Sequence, residues 1–307
     1  MPGRESLKRM IPLALVACVL ACTSYEGGTQ NTGTGVERIV AVGDVHGDYD
    51  QFVTTLRAAG IVNRELEWIG GTTHLVQTGD VLDRWPDSRK VMDLLMRLEQ
   101  EAPRHGGAVH ALIGNHEAMA MAGDRRYVHE GEIAAFGSEE QYRQAMSERG
   151  TYGKWLRRHN AVIKINDTIF CHGGLSPAYA GTSLARINRD VRAHLGEGSK
   201  EGPAMASSGP CWYRGLAQGD EAQVRAEVSK TLARHGATRI VIGHTISKGG
   251  IAVRAGGRVI MIDVGMSRYF GGPAACLVID KSGFHAISPG SDVRLDVGSP
   301  GEVKKAA

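Results

Sequence analysis

The sequence predicts an α/β fold. Its N-terminal half alternates β-branched apolar runs with amphipathic stretches, in the rhythm strand, helix, strand. Its C-terminal part is a succession of short strand-like runs. Five short segments, each carrying a metal-ligand residue type, fall mostly at the ends of predicted strands. They are Gly43-Asp44-Val45-His46-Gly47, Gly79-Asp80-Val81-Leu82-Asp83-Arg84, Gly114-Asn115-His116-Glu117, His172-Gly173-Gly174 and Gly243-His244-Thr245. At 307 residues the chain holds one large domain, or one domain with decoration.

The first segment is not expected to belong to the fold. Arg4, Lys8 and Arg9 precede an apolar stretch over 10–21, too short to span a bilayer. This is the pattern of a bacterial export signal, occupying residues 1–22. Cys18 and Cys22 each follow small or apolar residues and resemble a lipobox. The longer apolar region before Cys22 favours that position, which would give a lipidated N-terminus and a membrane tether. An ordinary cleaved signal peptide is the alternative. Either route predicts an exported protein, periplasmic or membrane-anchored. Residues 23–36 are polar and rich in Gly and Thr, and read as a flexible tether.

The fold proper is expected over residues 37–288. The run 37–42 is a β-branched apolar strand ending in the Gly-Asp-x-His-Gly turn. A helix follows over 48–59 with Phe52, Leu56 and Ala59 on one face, and Gly60 ends it. The next strand is 73–78. Pro86-Asp87-Ser88 opens a second helix whose buried stripe is Val91, Leu94, Leu95 and Leu98. A third strand covers 108–113.

The rhythm then breaks. Residues 118–160 are polar and helix-prone, and read as a helical insertion near the mouth of the site. Met119, Met121, Trp155 and Leu156 are expected to pack inward, with Arg125, Arg126, Arg157 and Arg158 outside. The runs 161–165 and 168–171, joined at Asn166-Asp167, spell a hairpin. From about 188 to 235 the sequence reads as irregular, with a Gly/Ser-rich middle over 196–210. The strand-rich part starts at 238–242. A second hairpin, 251–254 with 258–262, flanks Gly256-Gly257. Strands over 275–279 and 284–287 follow, and residues 289–307 are expected to form a poorly ordered tail.

Composition narrows the function. A formal net charge of +3 with no long basic run gives no basis for a nucleic-acid partner. The abundance of glycine, 41 residues, suits many tight turns from strand to loop. Cys171, Cys211 and Cys276, an odd number at irregular spacing, make no disulfide framework. Cys171 on a strand reads as a small buried apolar residue. Cys211 lies in a Gly/Pro loop. A Cys171–Cys211 redox pair is the alternative, and two titratable thiols under oxidising conditions would dismiss it.

The five segments specify a chemistry. Aspartate, asparagine and histidine together suit two hard-to-borderline divalent metals, and paired metals hydrolyse phosphate esters. An aspartate can bridge two cations, and Asp80, in the middle of the set, is the candidate bridge. Asp44 and His46 alternate along one segment and can face one metal. Asn115, His172 and His244 would complete the other. Two such ions about 3.5–4 Å apart can share a water and acidify it to a hydroxide nucleophile. His116 directly follows Asn115, points elsewhere and can serve as general acid, oriented by Asp83. The planar fork of Arg84 matches two phosphate oxygens, Arg214 is a second clamp, and Asn115 can also meet the phosphate. The remaining histidines, His74, His105, His110, His129, His159, His194, His235 and His285, stand outside these segments and read as solvated or structural.

Together with the His-Gly-Gly-Leu-Ser-Pro run at 172–177, these segments resemble the phosphoprotein phosphatase family of metallophosphoesterases, over residues 39–264. The resemblance implies a calcineurin-like fold, a central β-sandwich flanked by helices. It also implies a bimetal centre and one-step hydrolysis. In that family the residues matching Asp44, His46, Asp80, Asn115, His172 and His244 bind metal. The match to His116 is the general acid assisted by the match to Asp83, and the match to Arg84 holds phosphate. Trp85 stands where a glycine usually follows Asp-Arg. The late histidine appears as Ile-Gly-His-Thr, and no Ser-Ala-Pro-Asn-Tyr segment follows it. With Trp212-Tyr213-Arg214-Gly215, these features are similar to the Shewanella-like branch, which is associated with phosphotyrosine as well as phosphoserine and phosphothreonine.

The reading that follows is a metal-dependent phosphatase of phosphoproteins or phosphopeptides. Phosphotyrosine is favoured, Mn²⁺ is the expected assay metal, and iron or zinc are able to fill the site. A dinucleoside-polyphosphate hydrolase or cyclic-nucleotide phosphodiesterase would use the same centre. A non-catalytic tethered binding protein would be marked by a missing ligand or acid, and none is missing.

Overall fold

Among the described residues of the computed structural model, 32–196 and 198–298, twelve strands form two six-stranded sheets. In chain order the strands are β1 (Thr32–Gly33), β2 (Ile39–Val42), β3 (His74–Gln77), β4 (Ala108–Ala111), β5 (Val162–Ile165), β6 (Thr168–Cys171), β7 (Arg239–Ile242), β8 (Ala252–Arg254), β9 (Val259–Met261), β10 (Cys276–Asp280), β11 (Gly283–Ser288) and β12 (Ser291–Arg294). One sheet runs β12-β11-β10-β2-β3-β4, the other β1-β5-β6-β7-β9-β8. The triplet β2, β3, β4 is parallel, as are β6 with β7 and β7 with β9.

Alternation along these strands makes the sandwich. Ile39, Ala41, Val76 and Leu277 of one sheet share an apolar cluster with Ile163, Ile165, Phe170, Val241 and Ile260 of the other. The intervening Val40, Val42, Leu75, Ile240 and Ile242 belong to a second cluster that includes residues of the helices. Strands buried on both faces read as continuous apolar runs, and β2, β6 and β7 are buried at every position.

Nine α-helices among the described residues surround the sheets: α1 (Tyr49–Ala58), α2 (Ser88–Glu101), α3 (Asn115–Ala122), α4 (Glu130–Phe136), α5 (Glu139–Met146), α6 (Thr151–Leu156), α7 (Leu184–Ala193), α8 (Gly215–Gln218) and α9 (Glu221–Arg234). Asp48 caps α1 by accepting from the Gln51 amide, and the helix buries Phe52, Val53, Thr55 and Leu56. The Val91, Leu94, Leu95, Leu98 stripe of α2 is buried as expected. Helices α3 to α6 fill the interval between β4 and β5. Met119, Met121, Trp155 and Leu156 are buried there, Arg125, Arg126 and Arg158 are exposed, and Arg157 is half-buried.

Three expectations need correction. The tether expected over 23–36 joins the fold before residue 37: β1 pairs with β5, and the Asn166 side chain holds Val36 through both its N–H and its carbonyl. The tail expected from residue 289 first forms β12, an antiparallel edge strand on β11. The stretch 188–235 is not irregular throughout. It contains the end of α7, short α8 and all of α9, which Asp220 caps at its start and Val224, Val228 and Leu232 bury. The leader and both lipobox candidates, Cys18 and Cys22, lie outside the described residues.

Candidate active site

Every site segment begins just past a strand end: Asp44 and His46 after β2, Asp80 to Arg84 after β3, Asn115 and His116 after β4, His172 after β6, and His244 after β7. Turning each strand sharply while aiming a side chain inward demands unusual backbone. Of eight non-glycine residues with positive φ among the described residues, five are site residues: His46 (46°), Asp80 (57°), Asp83 (70°), Arg84 (70°) and His244 (66°). Such conformations cost about 1–3 kcal/mol each and persist where the surroundings enforce them.

Glu117 does much of the enforcing. Its buried carboxylate accepts from the amides of Asp80, Val81 and Gly114, each at 2.8 Å. The glycines before Asn115 and His244 answer a steric need. A Cβ on Gly114 would overlap the Asp80 carboxylate, and one on Gly243 would overlap that of Asp44.

The donors converge on Asp80. Its Oδ2 lies 3.7 Å from His46 Nε2, 3.8 Å from His116 Nε2 and 3.2 Å from His172 Nε2. His172 Nε2 in turn lies 3.0 Å from Asn115 Oδ1 and 3.1 Å from His244 Nδ1. Two donor groups able to hold a metal result, one of His46, Asp80 and His116, the other of Asp80, His172 and His244, and Asp80 belongs to both. Asp44 accepts the His244 amide with both oxygens, and its Oδ2 is 3.9 Å from His46 Nε2.

Three imidazoles are oriented from behind by backbone carbonyls. His46 Nδ1 meets Leu82 O at 3.0 Å, His172 Nδ1 meets Thr78 O at 3.0 Å, and His244 Nε2 meets Trp212 O at 3.2 Å. If each of these nitrogens donates, the other nitrogen of each ring is left as a lone-pair donor on the Asp80 side.

The electrostatics fit cations. Asp44, Asp80, Glu117 and Asp263 are all buried together. Burial, then the charges of Asp263 and Asp80, pushes the Asp44 carboxyl well above the usual range. Burial would do the same to Asp80, but His172, His116 and His46 outweigh it and hold that carboxylate well below its ordinary value. Burial pulls His46 down to about 3 and, with His172 adding to it, His244 down to about 2, so both imidazoles are neutral and able to coordinate. Carboxylates buried together have their charge offset either by retained protons, as the raised Asp44 carboxyl shows, or by cations, and divalent ions bound by these residues would supply that positive charge.

His116 behaves differently. Its Nδ1 sits 2.5 Å from Asp83 Oδ2. Burial disfavours its charged form, yet Asp80 and the bond to Asp83 overcome this and raise it to about 8. Arg84 lies 3.8 Å from the centre of the Tyr127 ring, and its Nε is buried without a partner. Arg214 is exposed, and its Nη1 donates to His244 O at 2.7 Å and to Thr245 Oγ1 at 3.0 Å. All ten residues predicted for the site are therefore brought to one end of the sandwich.

Sequence reasoning passed over Glu117, Glu132 and Asp263. Glu117 had a signal, since it stands inside a motif already singled out. Glu132 and Asp263 had none locally. The three cysteines of the body are free and buried. Burial pushes the Cys171 thiol up to about 12 and the Cys211 thiol well above its ordinary value, which disfavours the reactive thiolate.

A sandwich that gathers paired donor groups at its strand ends defines a metallophosphoesterase. The chain matches the calcineurin-like phosphoesterase family model over residues 37–248 and belongs to that family. It is 38% identical to an uncharacterised protein of Schizosaccharomyces pombe, covering 80% of this chain and 77% of that one. It is 29% identical to Shewanella-like protein phosphatase 2 of Arabidopsis thaliana, covering 76% and 72%. The crystal structure of a cold-active protein-tyrosine phosphatase of a psychrophilic Shewanella species superposes with a TM-score of 0.79 at 30% identity, over 88% of this chain and 83% of that one. These likenesses support the Shewanella-like branch expected from the sequence, and with it a metal-dependent phosphatase acting on phosphorylated substrates.

Proposed function

We propose that the chain is a binuclear phosphoprotein phosphatase that prefers phosphotyrosine to phosphoserine and phosphothreonine. The observation that carries the phosphatase reading is the sharing of Asp80 between two donor groups, beside a histidine held by a carboxylate. The tyrosine preference rests on the likeness to the Shewanella enzyme.

Asp44, His46, Asp80, Asn115, His172 and His244 are the proposed ligands. Two cations, when bound, supply an acidified water and neutralise charge on the phosphoryl oxygens. The chain's own residues do the rest. The Arg84 guanidinium orients the phosphate through paired donors. Arg214, pinned on the backbone of His244, offers a second positive edge. His116 keeps Nδ1–H on Asp83 and gives the proton at Nε2 to the departing oxygen, which leaves as a neutral alcohol or phenol. On distance alone His116 also qualifies as a ligand, but its raised basicity suits a proton carrier.

The deciding experiment uses the Mn²⁺-loaded protein. Phosphotyrosine, phosphoserine and phosphothreonine peptides of one sequence, with bis(adenosine) tetraphosphate alongside, are compared by kcat/KM. The phosphotyrosine peptide is expected to lead. A clear lead for the phosphoserine peptide or the dinucleotide overturns the proposal. Repeating the comparison with iron and zinc ranks the metals.

A further inference from the structure

Five large apolar side chains are exposed among the described residues, and three of them, Ile246 (39%), Tyr269 (53%) and Phe270 (39%), stand beside the candidate active site. Exposed rings on a loose loop would mean little, but this turn is pinned. Arg268 donates to the buried Asp48 carboxylate from its amide at 2.7 Å, from Nε at 2.9 Å and from Nη2 at 2.8 Å, and reaches Asp50 at 2.9 Å. The Phe270 and Gly271 amides close back onto Ser267 O. The rings are held out toward solvent by a fixed frame.

Their neighbours close a circuit. Phe270 lies against His46 with ring centres 5.3 Å apart, and His46 meets His116 edge-on at 4.7 Å. His116 meets Tyr127 at 5.3 Å. Arg84 lies 3.8 Å from the Tyr127 ring centre and 5.3 Å from that of Tyr269. Tyr269 returns to Phe270 at 4.8 Å. Three aromatic rings therefore share one rim with the proposed acid, a proposed ligand and the proposed phosphate clamp.

We infer that Tyr127, Tyr269 and Phe270 form a subsite for the aromatic ring of an aryl phosphate ester. The inference rests on the phosphatase reading above and supplies a physical basis for its tyrosine preference. In an aryl ester the ring is one oxygen from phosphorus, so a phosphate on Arg84 brings that ring to the surrounding aromatic side chains. An alkyl ester such as phosphoserine presents no ring there. A nucleotide base is set back from the reacting phosphorus by a ribose and, in polyphosphates, by further phosphates.

The test needs no turnover. Phenylphosphonate and methylphosphonate, which share a headgroup that cannot be hydrolysed, are titrated into the Mn²⁺-loaded protein by calorimetry. The wild type is expected to bind the phenyl compound roughly tenfold more tightly, the size of one or two ring contacts. In Tyr269→Ala/Phe270→Ala the ratio is expected to fall to about twofold or less. Phe270→Leu, which keeps apolar bulk but no ring, falls between and serves if the double variant does not fold. An unchanged ratio in the variants, or none in the wild type, overturns the subsite. If the ratio behaves as stated while phosphoserine peptides lead in turnover, the subsite stands and the proposed tyrosine preference fails, so the two are told apart.

Discussion

Asp80 and His116 lie 3.8 Å apart, and they separate the two tasks of the proposed reaction. Asp80 is surrounded by imidazoles that keep it ionised, so it is ready to bridge cations. His116 is held on Asp83, so it is ready to carry a proton. Removing the imidazole should therefore remove the acid and leave the ligands. In His116→Ala, turnover is expected to fall by about 10²–10⁴ while two equivalents of metal remain by elemental analysis. A near wild-type rate would dismiss His116 as the acid, and the loss of one metal equivalent would make it a ligand. Side chains such as these were legible in the sequence because each stands within a few residues of a glycine that the close-packed backbones require. Asp263 was not. It approaches Asp44 from the strand end after β9, more than two hundred residues away, and only the folded sandwich brings the two carboxyls together.

Beyond α3 and Tyr127, the stretch between β4 and β5 also reaches the site through α4. Glu132 on α4 accepts from the Asp83 amide at 3.1 Å and the Ser88 hydroxyl at 2.8 Å. It thereby fixes the left-handed turn that aims Asp83 at His116. Burial, then the charge of Asp83, lifts this carboxyl to about 8, so it is largely neutral at pH 7. Glu132→Ala strands the Asp83 amide and is expected to cost about 1–3 kcal/mol in urea unfolding, with a smaller loss of turnover than His116→Ala. Glu132→Gln, neutral and still offering an amide oxygen, should retain most of both. Equal damage in the two variants would show that charge rather than the hydrogen-bond acceptor matters. The insertion's helical character was readable, but its grip on Asp83 spans 49 positions and has no local signature. Helix α9 did carry a signal, an Asp220 cap and a stripe at Val224, Val228 and Leu232. The stripe is narrow in a polar stretch that follows a Gly/Ser-rich run, and the eye passes over it. Strand β12 carried none, since all four residues are exposed and no alternation marks a buried face.

At the scale of the whole molecule, the sandwich concentrates buried titratable groups, and acid should find them. Outside the candidate active site the clearest pair is His74 and His110, on the neighbouring parallel strands β3 and β4, with nitrogens 3.1 Å apart. Both were read from the sequence as solvated or structural, and the fold makes them structural. Burial, then the His74 imidazole, draws His110 down to about 3, and burial lowers His74 as well. The unfolded chain therefore binds a proton at His110 from about pH 6.5 downward that the folded chain refuses until near pH 3. Stability from this source is complete above pH 6.5 and drains away as pH falls toward 3. His46 and His244 titrate in the same direction, so a single acid profile mixes all of them. Comparison with His110→Gln isolates the pair. Because His110 is half-buried, the stability difference between wild type and variant is expected to shift by about 1–2 kcal/mol toward the variant between pH 7 and pH 5, measured by urea unfolding at each pH. If the two profiles run parallel, the His110 imidazole protonates as readily in the folded chain as in the unfolded one, and the packing of β3 against β4 does not exclude its charge.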